Sequence, residues 1–445
     1  VSLIQKVKSK LSGDFDLREL LKGSIVSFAT RVGGIFFGFL FTWLVSHYYG
    51  AAALGLLSLS FAVLNIGAIL STLGTDTAIV RFVAGFSSQG KQTMVRQVYL
   101  KSLILVLGLC VPISLLIFYF AGPLATVVFN KPHLAHYFQL VSWFIAPMSL
   151  LWLNAGALRG MKHIAGFSFL KSASLTFFAT LLIVGAAFYS REIHVPVAVR
   201  LGGLVISAII SFLWWLKVRP KKGGPEETIT YGEIVSTSAP MMVIGSLTML
   251  LNWSVVLILG LYRSEADIGI LNVLLKLSAL PGIALMAVNS ISAPKFAAFH
   301  ANNNVKKLAK TAHQATKMIM AVSLPLFLAL LFFPQLALGI FGEAFEAGKT
   351  ALIIMVAAKF VNAAFGSVGS ILQMTGQQRI VQNIGLSALF VNTALCFLLA
   401  PALGLSGIAI AMFVSWTMGN IVSSYYVYKH FGFIPLIFAD KLMRS

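Results

Sequence analysis

Two cysteines in 445 residues, Cys110 and Cys396, stand far apart in separate apolar runs, so neither a disulfide framework nor a cysteine metal site is available. The eight histidines show no H-E-x-x-H or comparable ligand spacing; His133 and His136 are three apart but have no third ligand nearby. The stretch GEAFEAGKT (342–350) approaches a phosphate-binding loop, yet five residues rather than four separate Gly342 from Gly348. Acids are scarce as well: 13 Asp and Glu stand against 33 Lys and Arg, and no carboxylate falls in the middle of an apolar run. Charged residues of either sign make up only 10% of the chain, while 58% is hydrophobic and the mean hydropathy is +0.90. Those values exclude a soluble globular domain.

What is present instead is a succession of apolar runs of about 20 residues, each long enough to cross roughly 30 Å of hydrocarbon. Twelve are read, near 24–46, 52–74, 98–121, 135–157, 166–189, 197–216, 238–261, 268–292, 313–333, 350–371, 383–401 and 405–427. All are expected to be helices, because backbone exposed to lipid must be hydrogen-bonded internally and nothing here alternates like a barrel strand. The first run exceeds the h-region of a signal peptide and no A-x-A-like site follows, so it is read as a retained span.

Orientation follows from the cations. With the N-terminus inside, 25 of the 33 Lys and Arg fall on the cytoplasmic side and five (Lys131, Arg191, Arg200, Arg263 and Lys349) on the outer side, which predicts both termini in the cytoplasm. The +20 net charge thus encodes topology and lipid contact rather than nucleic-acid binding. Leu3, Ile4, Val7 and Leu11, interleaved with lysines, predict a short interfacial helix.

Three cations remain inside spans: Arg31, Lys276 and Lys359. At 1.5 Å per residue, the two lysines lie about 12–14 Å in from the outer ends of their spans and Arg31 about 10 Å from the inner end. A guanidinium at bilayer depth costs at least ~2.5–3.5 kcal/mol on insertion scales. No acid in the sequence is placed to pair with these cations, so the site is expected to be wet or to hold an anion. Asp76, at the inner end of the second span, is the one acid near a cavity mouth and the candidate for ion coupling, with Arg81 as its expected partner.

The sequence also repeats itself. Gly55-Leu56-Leu57 recurs as Gly269-Ile270-Leu271 and Arg81-Phe82 as Lys295-Phe296, both 214 apart; LATVVFN (124–130) resembles LALGIFG (336–342), and Leu158-x-Gly160 resembles Met374-x-Gly376. Two six-helix halves are implied, and an even number of spans makes them parallel repeats about an axis along the membrane normal. The polar segment KVRPKKGGPEETITYGE is the seam. The resulting division is an interfacial segment (1–22), a first bundle (23–216), a linker (217–237), a second bundle (238–427) and a cytoplasmic tail (428–445).

The stretches YYGAAALGLLSLSFAVLNIGAILSTLGTDTAIVRFVA (48–84), VVFNKPHL (127–134), SAPMM (238–242) and ALGIFGEAF (337–345) resemble the polysaccharide-transporter (Wzx-type) branch of the multidrug/oligosaccharidyl-lipid/polysaccharide (MOP) superfamily. The resemblance implies an all-α fold of two six-helix bundles around a central cavity. It also implies a flippase that moves undecaprenyl-diphosphate-linked oligosaccharide outward across the bacterial inner membrane, for O-antigen, capsule or exopolysaccharide. The expected protein is a monomer and not an enzyme. It needs no cofactor beyond a proton or sodium gradient or the membrane potential, and its partners are lipids, the lipid-linked substrate and a polysaccharide polymerase with its co-polymerase.

On that reading Arg31, Lys276 and Lys359 hold the diphosphate, and Asn65, Asn154, Asn252 and Asn272 meet sugar hydroxyls, although interhelical hydrogen bonding is the commoner role of asparagine in spans. Pro281-Gly282 is the expected functional hinge. Two alternatives stay open: an ion-coupled MATE-type exporter, which would typically use intramembrane carboxylates, and a membrane enzyme acting on lipid-linked sugars, which would need a longer outer catalytic loop. The topology is checked by single cysteines at Ser264 and Gly223 in a variant lacking Cys110 and Cys396. An impermeant thiol reagent applied to intact cells should label only the first; labelling of both, or only the second, rejects the orientation.

Overall fold

The computed structural model describes residues 15–220 and 228–436. The expected interfacial helix, residues 221–227 of the seam and the end of the tail lie outside the described residues. Seventeen α-helices occur among the described residues: α1 (Phe15–Thr72), α2 (Thr75–Ser88), α3 (Gln92–Pro123), α4 (Leu134–Ser142), α5 (Ile145–Gly160), α6 (Ile164–Ser172), α7 (Ser174–Ala186) and α8 (Val195–Val218) form the first half. The second half is α9 (Tyr231–Tyr262), α10 (Glu265–Ala279), α11 (Gly282–Ala301), α12 (Val305–Phe332), α13 (Pro334–Gly339), α14 (Lys349–Phe365), α15 (Val368–Met374), α16 (Gln378–Leu403) and α17 (Leu405–Phe431).

Seven of these are long and apolar enough to cross a bilayer, and three further spans are helix pairs bent by 45°, 51° and 48°. Helix α1 crosses twice, turning at Gly50, whose φ of 81° is left-handed and easy only for glycine. With that second crossing and the 32-residue α9, the twelve expected spans are accounted for. Some run past their hydrophobic stretch into polar sequence, as α12 does by starting at Val305. Thr230 with Glu233 and Ser264 with Asp267 form capping boxes at the starts of α9 and α10, satisfying orphan N–H groups where the chain re-enters lipid. The breaks within spans, at 73–74, 143–144, 173, 280–281 and 366–367, were not expected apart from the one at Pro281.

The two repeats meet most extensively where α1 crosses α10. A Cβ on Gly55 would overlap the carbonyl of Glu265, and one on Gly269 would overlap the carbonyl of Ala51, so the backbones are in direct contact. Gly55 and Gly269 are the repeat-related pair, and three residues on, Asn272 Nδ2 donates to Ser58 Oγ at 2.9 Å, again 214 apart in sequence. At the end of the crossing, Lys131 Nζ donates to the carbonyls of Arg263 (2.5 Å) and Gly260 (3.2 Å), 3.6 Å from Glu265, which also meets His133 Nε2 at 3.0 Å. Burial lowers the Lys131 pKa from its ordinary value, and Glu265 works in the opposite direction.

Along one edge the lobes stay in contact toward the opposite, basic face: Gly74 packs on the backbone of Ser238 and Met242, and Lys101 Nζ donates to Ile229 O at 2.5 Å. Along the other edge, between the first arm of α1 and α10–α11, they diverge. The crossing has a direct test. Gly55→Ala should lower thermal stability in detergent by the equivalent of about 1–3 kcal/mol, the usual cost of overpacking. Gly108→Ala, where a Cβ meets nothing within 4 Å, should not; equal melting of the two variants would reject the close crossing.

Candidate functional site

The diverging edge leaves a cavity of about 460 Å³ between the lobes. Arg31, Gly34 and Gly38 of α1 line one side; Lys276 of α10 and Ile283 and Met286 of α11 line the other. Gly34 is essential to its floor, since a Cβ there would overlap the carbonyl of Ser172 on α6. The wall is mostly hydrocarbon, with the two cations and Ser172 as its polar side chains, and exposed Phe28, Val32 and Phe36 flank it on α1.

Arg31 is exposed at the mouth, with no protein anion beside it among the described residues. Lys276 is half-buried and reaches across the seam, donating to Gly38 O at 3.0 Å and to Thr42 Oγ1, whose own hydroxyl donates to Gly38 O at 2.9 Å. One ammonium of the second lobe thus holds the backbone of the first. Behind it, close enough to repel it, is the guanidinium of Arg200 on α8. Arg200 lies 5.5 Å from the ring of Phe41 and 4.6 Å from that of Phe61, and its Nε has no hydrogen-bond partner. Arg200, counted from the sequence among the outer-side cations, lies in this cluster, and it stands alone in the apolar run VPVAVRLGGLVISAII. Two like charges with no carboxylate between them make this part of the seam electropositive at low dielectric.

Lys359, expected in the same group, is elsewhere. It lines a second cavity inside the C-terminal lobe, with its Nζ 3.4 Å from the centroid of the Trp416 ring. The three intramembrane cations therefore do not converge. Of the asparagines expected to meet sugar, only Asn252 lines a described cavity. Asn65 is buried and donates to Phe61 O; Asn154 is buried between Tyr99 Oη (2.7 Å) and Ser211 Oγ (3.0 Å); Asn272 is spent on Ser58 at the crossing. Packing accounts for these three.

Asp76 pairs with Lys171 at 3.4 Å rather than with Arg81 one turn along its own helix, because α6 brings the lysine over from the next bundle layer. Lys171 also sits 4.7 Å from the ring of Trp152. Leu280 and Pro281 form the break between α10 and α11, just before Gly282, and the Pro281 carbonyl accepts from Ser323 Oγ at 3.0 Å. Glu343 and Glu346 are exposed on a 3₁₀ turn, and no group of three or more potential metal ligands occurs among the described residues.

A family profile described as polysaccharide biosynthesis protein matches residues 20–300, well over half of the chain, and the MatE profile matches residues 240–398. The probable low-salt glycan biosynthesis flippase Agl15 of Haloferax volcanii is 21% identical over 420 residues, covering 92% of this chain and 84% of that protein. Among solved structures, an inward-facing multidrug resistance MATE family transporter of the MOP superfamily superposes with a TM-score of 0.76 at 15% identity, covering 92% of this chain and 98% of the other. The lipid II flippase MurJ, in an inward closed conformation, superposes with a TM-score of 0.72 at 14% identity, covering 92% and 87%. By the extent of the profile match, the chain belongs to the polysaccharide biosynthesis protein family, and its fold is the one these solved transporters share.

Proposed function

We propose that the protein is a flippase that carries a polyprenyl-diphosphate-linked oligosaccharide from the cytoplasmic to the outer leaflet by alternating access. The observation that carries this reading is the seam cavity, a hydrocarbon-walled cleft holding Arg31 and Lys276 with Arg200 behind them and no carboxylate among its lining residues. A diphosphate crossing lipid needs counter-charge and a wet path far more than its sugar does. A cleft with apolar walls lets the polyprenyl tail stay in hydrocarbon while the head group enters. The name of the Haloferax relative, a glycan biosynthesis flippase, agrees with this substrate class.

Lys276 supplies a link between binding and movement. Its ammonium bonds to Gly38 and Thr42 across the seam, and a phosphate oxygen competing for those protons loosens the hold of α10 on α1. Arg31 offers a planar fork suited to two phosphate oxygens, Lys276 a point charge. An anion moving outward is favoured by an inside-negative potential at ~2.3 kcal/mol per charge per 100 mV, so the potential contributes to the driving force. A cation exporter is less well supported, because Asp76 is already paired and neither described cavity that holds an intramembrane cation is lined by a carboxylate.

The test is complementation of a flippase-null strain, scored by surface polysaccharide and normalised to membrane-inserted protein. Losing one charge-assisted bond is worth about 1.5–3 kcal/mol, roughly ten- to hundredfold. Lys276→Gln should therefore cut export clearly, and Arg31→Gln with Lys276→Gln should nearly abolish it, with lipid-linked precursor accumulating on the inner leaflet. Arg31→Lys should fall between, keeping charge but losing the fork. Wild-type export by the double variant would make this reading wrong.

A further inference from the structure

The second cavity, inside the C-terminal lobe, is separated from the first by a single helix. On α11, Ile283 and Met286 face the seam, whereas Leu285 and Asn289 face inward to a space of about 440 Å³. That volume falls within the roughly 300–1,000 Å³ of small-ligand sites. It reaches from Asn252 of α9 and Lys359 of α14 at mid-span to Ser423 of α17 toward the basic face.

Four carboxamides line it, from four different helices: Asn252 (α9), Asn289 (α11), Asn362 (α14) and Asn420 (α17). Among the described residues, Asn252 and Asn362 make no side-chain hydrogen bond to protein. Asn289 Oδ1 accepts from Ser367 Oγ at 2.5 Å, which leaves its amide N–H groups to a ligand, and Asn420 donates to Trp416 O at 3.0 Å, which leaves its carbonyl oxygen. Ser415, which also lines the cavity, donates to Oδ1 of the buried Asn392 at 3.2 Å. Both donors and acceptors are thus on offer, the complement of a group that is itself both, such as a hydroxyl.

Other ligand classes fit less well. No carboxylate lines the cavity and Lys359 stands in it, so a cation is repelled. A diphosphate calls for several free cations, and the single one here is already seated on the Trp416 ring. Burying these carboxamides against an apolar ligand would leave their remaining donors and acceptors unpaired at about 1–3 kcal/mol each. Trp416 supplies an aromatic edge.

We propose that this cavity is a saccharide site, in which Asn252, Asn289, Asn362 and Asn420 hydrogen-bond the hydroxyl or acetamido groups of a neutral sugar unit beside Trp416. It deepens the flippase reading and rests on it: the diphosphate belongs to the seam, the glycan to the C-terminal lobe. Lys359 is then part of the sugar site, held over Trp416 rather than pairing with phosphate.

The test uses the purified full-length chain in detergent and its intrinsic tryptophan fluorescence. Free glucose, galactose, mannose, rhamnose and N-acetylglucosamine, with their homodisaccharides, are titrated at millimolar concentration, and inorganic pyrophosphate is the comparator. At least one sugar should give a saturable change. It should weaken about tenfold in Asn362→Gln and more in Asn252→Ala with Asn362→Ala, on the scale of one or two hydrogen bonds. It should disappear in Trp416→Phe and be unaffected by pyrophosphate.

No response to any sugar, a response that persists in the double asparagine variant, or displacement of the sugar by pyrophosphate overturns the proposal. Variants are compared at matched elution volume and melting temperature, and the wild-type titration alone is decisive if none folds. The flippase reading is judged separately by the Arg31 and Lys276 variants. Loss of export there with no sugar response here discards only the saccharide site.

Discussion

Everything in this molecule is arranged around one crossing at which no side chain fits. Gly55 and Gly269, related by the internal repeat, bring α1 and α10 so close that each backbone rests on a carbonyl of the other. Without a hydrophobic driving force between helices in lipid, such contact must come from dispersion and from polar links, here Ser58 with Asn272 and the Lys131–Glu265–His133 clasp. Because the crossing lies toward one face, the helices that leave it are free to diverge toward the other. The seam cavity is the result along one edge, and Gly74 against Ser238 and Met242 keeps the other edge shut.

The second constraint is electrostatic. Arg31, Arg200 and Lys276 share one region of the seam with no carboxylate among the cavity's lining residues, an arrangement of like charges tolerated because Arg200 lies against two aromatic rings and Lys276 borrows backbone and hydroxyl acceptors. Groups bonded to substitutes rather than to counter-ions are those an incoming anion can recruit. Lys359 follows the same logic with a different substitute, the face of Trp416.

Helix α11 ties the two cavities together. It begins at the Pro281-Gly282 break just beyond Lys276, and its opposite faces form walls of both spaces. A Cβ on Gly282 would meet nothing within 4 Å, so the break does not depend on a crowded glycine there.

Much of this was legible in the amino-acid order. Hydropathy alone located all twelve spans, because a run of about 20 apolar residues in lipid has helix as its only outlet. The 214-residue repeat picked out Gly55 and Gly269 before their contact was known, since a pair that must meet across an axis has to be small in both copies. The isolation of Arg31, Lys276 and Lys359 in apolar sequence was likewise visible, as cations in hydrocarbon are costly wherever they point.

Where those cations point was not visible. Sequence fixes depth along a helix, but which face meets which cavity depends on packing against helices tens or hundreds of residues away. That packing sent Lys359 to Trp416, drew Arg200 in beside Lys276, paired Asp76 with Lys171, and buried Asn65 and Asn154 while leaving Asn252 and Asn362 facing open space.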